Sequence, residues 1–233
     1  MITMATSVDE ATRGAEVAVL PVGSFEQHGG HLPLATDTLV ACAIAGRIAE
    51  RHGLFCLPPI TISCSHEHEG YPGTVSIGAG TLIAMIGDIR ASLSRSGIDR
   101  LVMVNGHGGN YVLSNIAQEA NVTGRKVALF PGRDDIAKAR EDAGMATCAS
   151  EDMHGGEWET SILLHTHPDS VGDGRADADH EATARPYLHL LGMKGYTESG
   201  VIGRPSLGSA EKGRAAVESL TESFARLLGL LRE

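Results

Sequence analysis

No two of the four cysteines, Cys42, Cys56, Cys64 and Cys148, stand in a CxxC or other paired spacing. Neither a zinc knuckle nor a disulfide framework is therefore suggested. Such usage fits a reducing compartment, and the expectation is a cytoplasmic protein. The start, MITMATSVDEATRG, lacks a basic stretch followed by an apolar one, and no run approaches the roughly 18 apolar residues of a membrane span. Clustered Lys and Arg are also missing, and the formal net charge is −10. Nucleic acid and anionic membrane are thereby disfavoured as partners, since both need clustered positive charge. Neither the P-loop spacing nor GxGxxG occurs, which argues against a phosphate-binding turn. The partner left by these exclusions is a small molecule or a short peptide.

What is present begins with VAVLPVGSFEQHGGHLPLATD, residues 17–37. Val17 to Val22 reads as a strand buried on both faces, because a short run of consecutive apolar residues ending at Gly suits the interior of a parallel sheet. Glu26 and His28 are two apart, so in an extended segment both side chains leave on one side. Thr36 or Asp37 reads as the N-cap of a helix over Leu39 to His52, with Gly53 as its C-cap. Glu-x-His with a nearby Asp is an oxygen and nitrogen donor set suited to Zn, Mn or Fe(II).

Leu54 to Ser63 reads as a second strand bent or edged by Pro58-Pro59. The following loop carries His66, Glu67, His68 and Glu69 before a Tyr-Pro-Gly-Thr turn; it reads equally well as a solvated loop. Thr81 to Arg95 reads as a helix, and Leu101 to Val104 as a third strand that runs into Asn105-Gly106-His107-Gly108-Gly109-Asn110. A glycine-rich turn between strand and helix is the usual crevice of an open parallel sheet, with His107 positioned to ligate. Lys126 to Phe130 makes a fourth strand. In HGGEWETS, Glu157 is expected to open a helix. His154 and Glu157, three apart, then share a face, while Glu159 points elsewhere and is structural. Trp158, the only tryptophan, reads as core or pocket wall. Ser209 to Leu231 closes the chain as an amphipathic helix. Strand–helix alternation without a linker predicts one α/β domain over 1–233, a three-layer αβα sandwich around a mostly parallel sheet.

The segments LPVGSFEQHGGHLPLATD, YPGTVSIG, VNGHGGN, HGGEWETS and GSAEKG, in this order over about residues 17 to 230, resemble the creatininase family of metal-dependent amidohydrolases. The resemblance implies a homohexamer of αβα subunits, each with two divalent ions (Zn, Mn or Fe), hydrolysing a C–N bond. It gives Glu26, His28, Asp37 and His107 the ligand roles, with Asp37 bridging, and makes His154 the histidine that contacts substrate and assists proton transfer. Two cations about 3.5–4 Å apart can hold a bridging hydroxide and polarise a carbonyl. A general acid near them adds about 10²–10⁴-fold.

Departures from the family pattern are equally informative. Creatininase has an acid where this chain has Gly109, a pocket tryptophan where it has Ser150, and an acid where it has Met153. Creatinine is therefore a poor expectation, and the branches that remove a formyl group or trim the mycofactocin precursor peptide resemble the chain at least as well. Glu157 is expected to replace the lost acid, as ligand and as catalytic residue beside His154. Failing that, the missing donor is to be sought in the His66 to Glu69 loop. Ser150, Met153, Trp158, Gly108 and Tyr71 are expected around the substrate. A metal-stabilised binding protein without turnover is the reading of another class.

Overall fold

The computed structural model describes residues 3–233. In chain order its elements are α1 (Ser7–Arg13), β1 (Val17–Val22), α2 (Thr36–His52), β2 (Phe55–Cys56), α3 (Ala79–Arg95), β3 (Arg100–Asn105), α4 (Val112–Ala120), β4 (Val127–Phe130), α5 (Arg133–Asp142), α6 (Glu157–Thr166), α7 (Leu188–Leu191) and α8 (Ala210–Arg232). Short 3₁₀ turns join several of them, including one at His66–His68. The four strands form one parallel sheet in the order β2-β1-β3-β4.

Alternation along the strands builds two apolar layers. Val17 and Val19 of β1, with Val102 and Val104 of β3, face α2, α6 and α8 through Ile44, Ile48, Ile162, Leu220 and Phe224. Ala18, Leu20 and Val22, with Leu101 and Met103, face α3 and α4 through Leu82, Ile86, Leu113 and Ile116. This is the three-layer αβα architecture. Phe130 and Phe224 meet edge-on at 5.1 Å, both fully buried, and each contributes about 1.5–3 kcal/mol by leaving water.

The second strand is shorter than the sequence pattern suggests. After Cys56 only the bridge Val22–Ile60 continues the pairing, because Pro58 and Pro59 offer no N–H to a ladder. Pro21 is accommodated on that same side of β1, where its carbonyl accepts from Ile60 N at 2.9 Å. At α2 the N-cap position is Ala35, without a side-chain cap, so Thr36 and Asp37 lie inside the first turn. Gly53 caps the other end in the left-handed conformation, φ +67°. Among the described residues no helix is long and apolar enough to cross a membrane.

Candidate metal centre

Seven side chains from six separate segments converge beyond the carboxyl edge of the sheet. The loop after β1 carries Glu26 and His28, α2 carries Asp37, the turn at His66–His68 carries His68, and the loop after β3 carries His107. His154 precedes α6 in an extended segment bridged to Ile202, and Glu159 lies in the first turn of α6. All seven are buried.

Backbone carbonyls orient three of the imidazoles. His28 Nδ1 donates to Glu26 O at 3.0 Å, His107 Nε2 to Cys64 O at 3.0 Å, and His154 Nε2 to Gln27 O at 2.5 Å. The opposite nitrogens therefore face inward, as second-layer hydrogen bonds commonly arrange for metal-binding histidines. His28 Nε2 stands 3.1 Å from Asp37 Oδ1 and 3.8 Å from Glu159 Oε1. His107 Nδ1 is 3.1 Å from Glu26 Oε1 and 3.2 Å from Asp37 Oδ2. His154 Nδ1 is 3.7 Å from Glu26 Oε1.

Both oxygens of Glu26 and Oδ2 of Asp37 are buried without a hydrogen-bond partner. Orphaned carboxylate oxygens are expensive in a protein interior, and a cation removes that penalty. Glu26, His28 and Asp37 on one hand, and His28, His154 and Glu159 on the other, each offer atoms within 4.8 Å of one another. The donor set is carboxylate and imidazole throughout, which fits a divalent metal.

Titration behaviour reflects the same geometry. Burial opposes charge on His28, yet Asp37, Glu159 and Glu26 raise it to about 9. Burial likewise opposes charge on His107, and Glu26 and Asp37 raise it well above the ordinary histidine value. Burial and neighbouring imidazoles push His68 down to about 3 and His154 well below its usual range. Asp37, despite burial, is held far below the carboxylate range by His28 and His107. Burial and Asp37 raise Glu26. Burial raises Glu159 to about 7 against the pull of His28. Acids and imidazoles packed this closely favour positive charge between them, and metal binding at such ligands releases protons.

The geometry corrects the expectation for Glu157. Its carboxylate is turned away from the cluster and accepts from Ala146 N at 3.1 Å, Thr147 N at 3.0 Å, Thr147 Oγ1 at 2.7 Å and Lys212 Nζ at 2.5 Å. In this arrangement the Glu157 carboxylate does not face the cluster, whereas that of Glu159 does. The reason is where the helix begins. His154 lies outside α6, so the expected shared face with Glu157 does not exist. Asp152 Oδ1 and Oδ2 accept the backbone N–H groups of Glu157 at 2.6 Å and Trp158 at 2.9 Å and start the helix there. Gly156 leaves room for this cap: a Cβ on it would stand 1.7 Å from Asp152 Oδ1.

The space that a side chain at Gly109 would need is also filled. A Cβ there would lie 2.0 Å from Glu67 Oε1 and 2.4 Å from His107 Nε2. Glu67 stands behind His107, 3.6 Å from Nε2, while its neighbour His68 enters the cluster.

Of the residues expected around a substrate, Gly108, Met153 and Trp158 line a cavity of about 270 Å³ together with His107 and Glu159. Ser150 is outside that lining, exposed, with its hydroxyl 3.0 Å from Cys148 Sγ. Tyr71 is outside it as well, donating its hydroxyl to Thr197 O at 2.5 Å and packing on Met193 and Ile202. One side chain points to solvent and the other belongs to a small satellite core.

Residues 3–228 match the family model described as creatinine amidohydrolase. A mycofactocin precursor peptide peptidase of Mycolicibacterium smegmatis is 36% identical, covering 90% of this chain and 83% of that protein. Creatinine amidohydrolase of Pseudomonas putida is 29% identical, covering 90% and 87%. A solved creatininase structure with Mn superposes with a TM-score of 0.81 at 28% identity, covering 97% of this chain and 95% of that one. Matched along nearly its whole length, and carrying a buried carboxylate–imidazole centre that supports a divalent metal, the chain belongs to the creatininase family of hydrolases.

Proposed function

We propose that this protein hydrolyses an amide-type C–N bond with two divalent cations held by Glu26, His28, Asp37, His107 and Glu159, and that a short peptide is the substrate class to test first. The observation that carries the reading is the pair of buried carboxylates, Glu26 and Asp37: the unpartnered Oε1 of Glu26 and Oδ2 of Asp37 face His107 Nδ1 at 3.1 and 3.2 Å, and Asp37 Oδ1 meets His28 Nε2 at 3.1 Å. Asp37 spans both imidazoles, Oδ1 toward one and Oδ2 toward the other, which suits a bridging role. Bound cations supply Lewis acidity toward a carbonyl oxygen and make water a nucleophile near neutral pH.

The chain's own residues do the rest. His154, fixed by Gln27 O, keeps Nδ1 open toward the cluster; it accepts a proton there from water as the water oxygen bonds to the carbonyl carbon, and returns it to nitrogen as the C–N bond breaks with its electron pair on nitrogen. Gly108, Met153 and Trp158 form the walls against which the scissile group is oriented. Support for a peptide comes from the peptidase relatives, 32% to 36% identical.

A cyclic amide is the second reading, favoured by the creatininase structures on which the fold superposes. The homohexamer belongs to the same proposal, and sedimentation velocity tests it. Metal-stripped protein reloaded with zinc or manganese is to be assayed against short peptides, formamides and creatinine, beside Asp37→Ala. Expected are two ions per chain, peptide hydrolysis, weak or no creatinine turnover, and loss of both ions with activity in Asp37→Ala. Full metal occupancy in Asp37→Ala would overturn the ligand assignment.

A further inference from the structure

Gln27 separates the centre from the loop at Gly200, and its amide orientation is determined by two groups that have only one role each. Gly29 N–H can only donate, and Gln27 Oε1 accepts it at 2.9 Å. The Gly200 carbonyl can only accept, and Gln27 Nε2 donates to it at 3.2 Å. A side chain at Gly200 would stand 1.7 Å from Oε1, so the glycine reserves this space for the amide. The second hydrogen of Nε2 is left for His68 Nδ1, 3.0 Å away, which must accept it. An imidazole that accepts at Nδ1 carries its proton on Nε2.

That Nε2 is the atom facing the centre. It stands 3.2 Å from Glu26 Oε1, which has no hydrogen-bond partner. The other three imidazoles are wired in reverse: each donates outward to a backbone carbonyl and turns its second nitrogen inward. By distance alone His68 counts as a metal-capable donor with Glu26 and His154. A lone pair on its Nε2, however, requires a proton on Nδ1, where it would meet the Gln27 NH₂ group. Reversing that amide would forfeit both of its backbone hydrogen bonds.

We propose that His68 is a positioning residue and not a metal ligand: Gln27 fixes its ring so that an N–H, and no lone pair, is turned toward the centre beside Glu26 Oε1. The inference rests on the metal-dependent reading above and adds a division of labour among four clustered histidines.

The test compares His68→Gln, which keeps an N–H donor near the position of Nε2, with His68→Leu, which has none. Zinc affinity is measured by chelator competition, and ¹⁵N NMR of the imidazoles gives the tautomers before and after zinc loading. The expected result is zinc affinity within about threefold of wild type for His68→Gln. For His68→Leu a loss of about 10–100-fold is expected, the usual effect of removing an orienting partner. His68 should keep its proton on Nε2 throughout. Equal, severe loss in both variants, or a proton on Nδ1 in the zinc-loaded protein, overturns the proposal. If wild type binds no zinc, the metal-dependent reading fails instead, and the tautomer in the metal-free protein still decides the wiring of His68.

Discussion

Glu157→Gln separates a buried strut from a metal ligand, and its expected effect follows from four contacts. Glu157 accepts three hydrogen bonds from Ala146 and Thr147 and one from Lys212, whose side chain is 24% exposed. Glutamine keeps one acceptor but turns an NH₂ toward a donor. The charge-assisted bond to Lys212 is lost, worth about 1.5–3 kcal/mol, and one buried donor is left unsatisfied at about 1–3 kcal/mol. Breaking one side of a buried pair costs about 3–5 kcal/mol in general. Partial exposure of Lys212 brings the expectation to about 2–4 kcal/mol. For a chain of this size each kcal/mol shifts Tm by about 2–4 °C, so about 3 kcal/mol lowers Tm by about 6–12 °C.

Burial alone would raise the Glu157 carboxyl, but Lys212, Thr147 and Ala146 hold it below the ordinary value. A depressed carboxylate contributes stability above its unfolded pKa, near about 4.3, and that contribution disappears as pH falls through the folded value. The gap between wild type and Glu157→Gln is therefore full at pH 7 and closes below about pH 4. The assay is thermal unfolding by circular dichroism across that range, with zinc content measured on the same samples. Adding Lys212→Met should recover part of the loss by removing the stranded ammonium, with a coupling of about 0.5–3 kcal/mol. An unchanged Tm with loss of zinc from folded Glu157→Gln would refute the reasoning and return Glu157 to the centre.

Gly109→Ala should weaken zinc binding by about 10-fold or more, measured by chelator competition, because the new Cβ collides with His107 as well as Glu67; adding Glu67→Ala should recover only part. An acid introduced at this position is expected to damage the centre, since the space is already occupied. Asp152→Ala should lower stability in urea by about 3–5 kcal/mol, since it removes the cap of α6 and leaves buried Arg140, 3.0 Å from Asp152 Oδ2, without its carboxylate. A loss under about 1 kcal/mol would contradict that account.

Local chemistry was readable where it depended on near neighbours. Val17 to Val22 announces a buried strand, Glu26 and His28 share a side because the step is two residues, and the glycine-rich turn after β3 marks where His107 emerges. The ligand-bearing loop after β1 was legible for the same reason. The directions of Glu157 and Glu159 are not legible locally, because they depend on where α6 starts, and that is decided by Asp152 reaching forward from an irregular segment. Nothing local distinguishes the buried imidazole of His68 from its exposed neighbour His66, so the loop reads as four polar residues in a row. Its partner is adjacent to Glu26, some forty residues earlier. The second strand reads longer in sequence than it is, because apolar content continues past two prolines that cannot support a ladder.

The acceptors that aim His28, His107 and His154 are peptide carbonyls, those of Glu26, Cys64 and Gln27. No ordinary point mutation deletes a carbonyl, so the aim of these rings is insulated from sequence drift in a way that a carboxylate partner would not be. Substitutions at Met153 or Trp158 can reshape what the cavity admits while the rings keep their bearings. On the hydrolase reading proposed above, a change of substrate can proceed by small steps at these walls without disturbing the rings, which makes them the natural target for redesign.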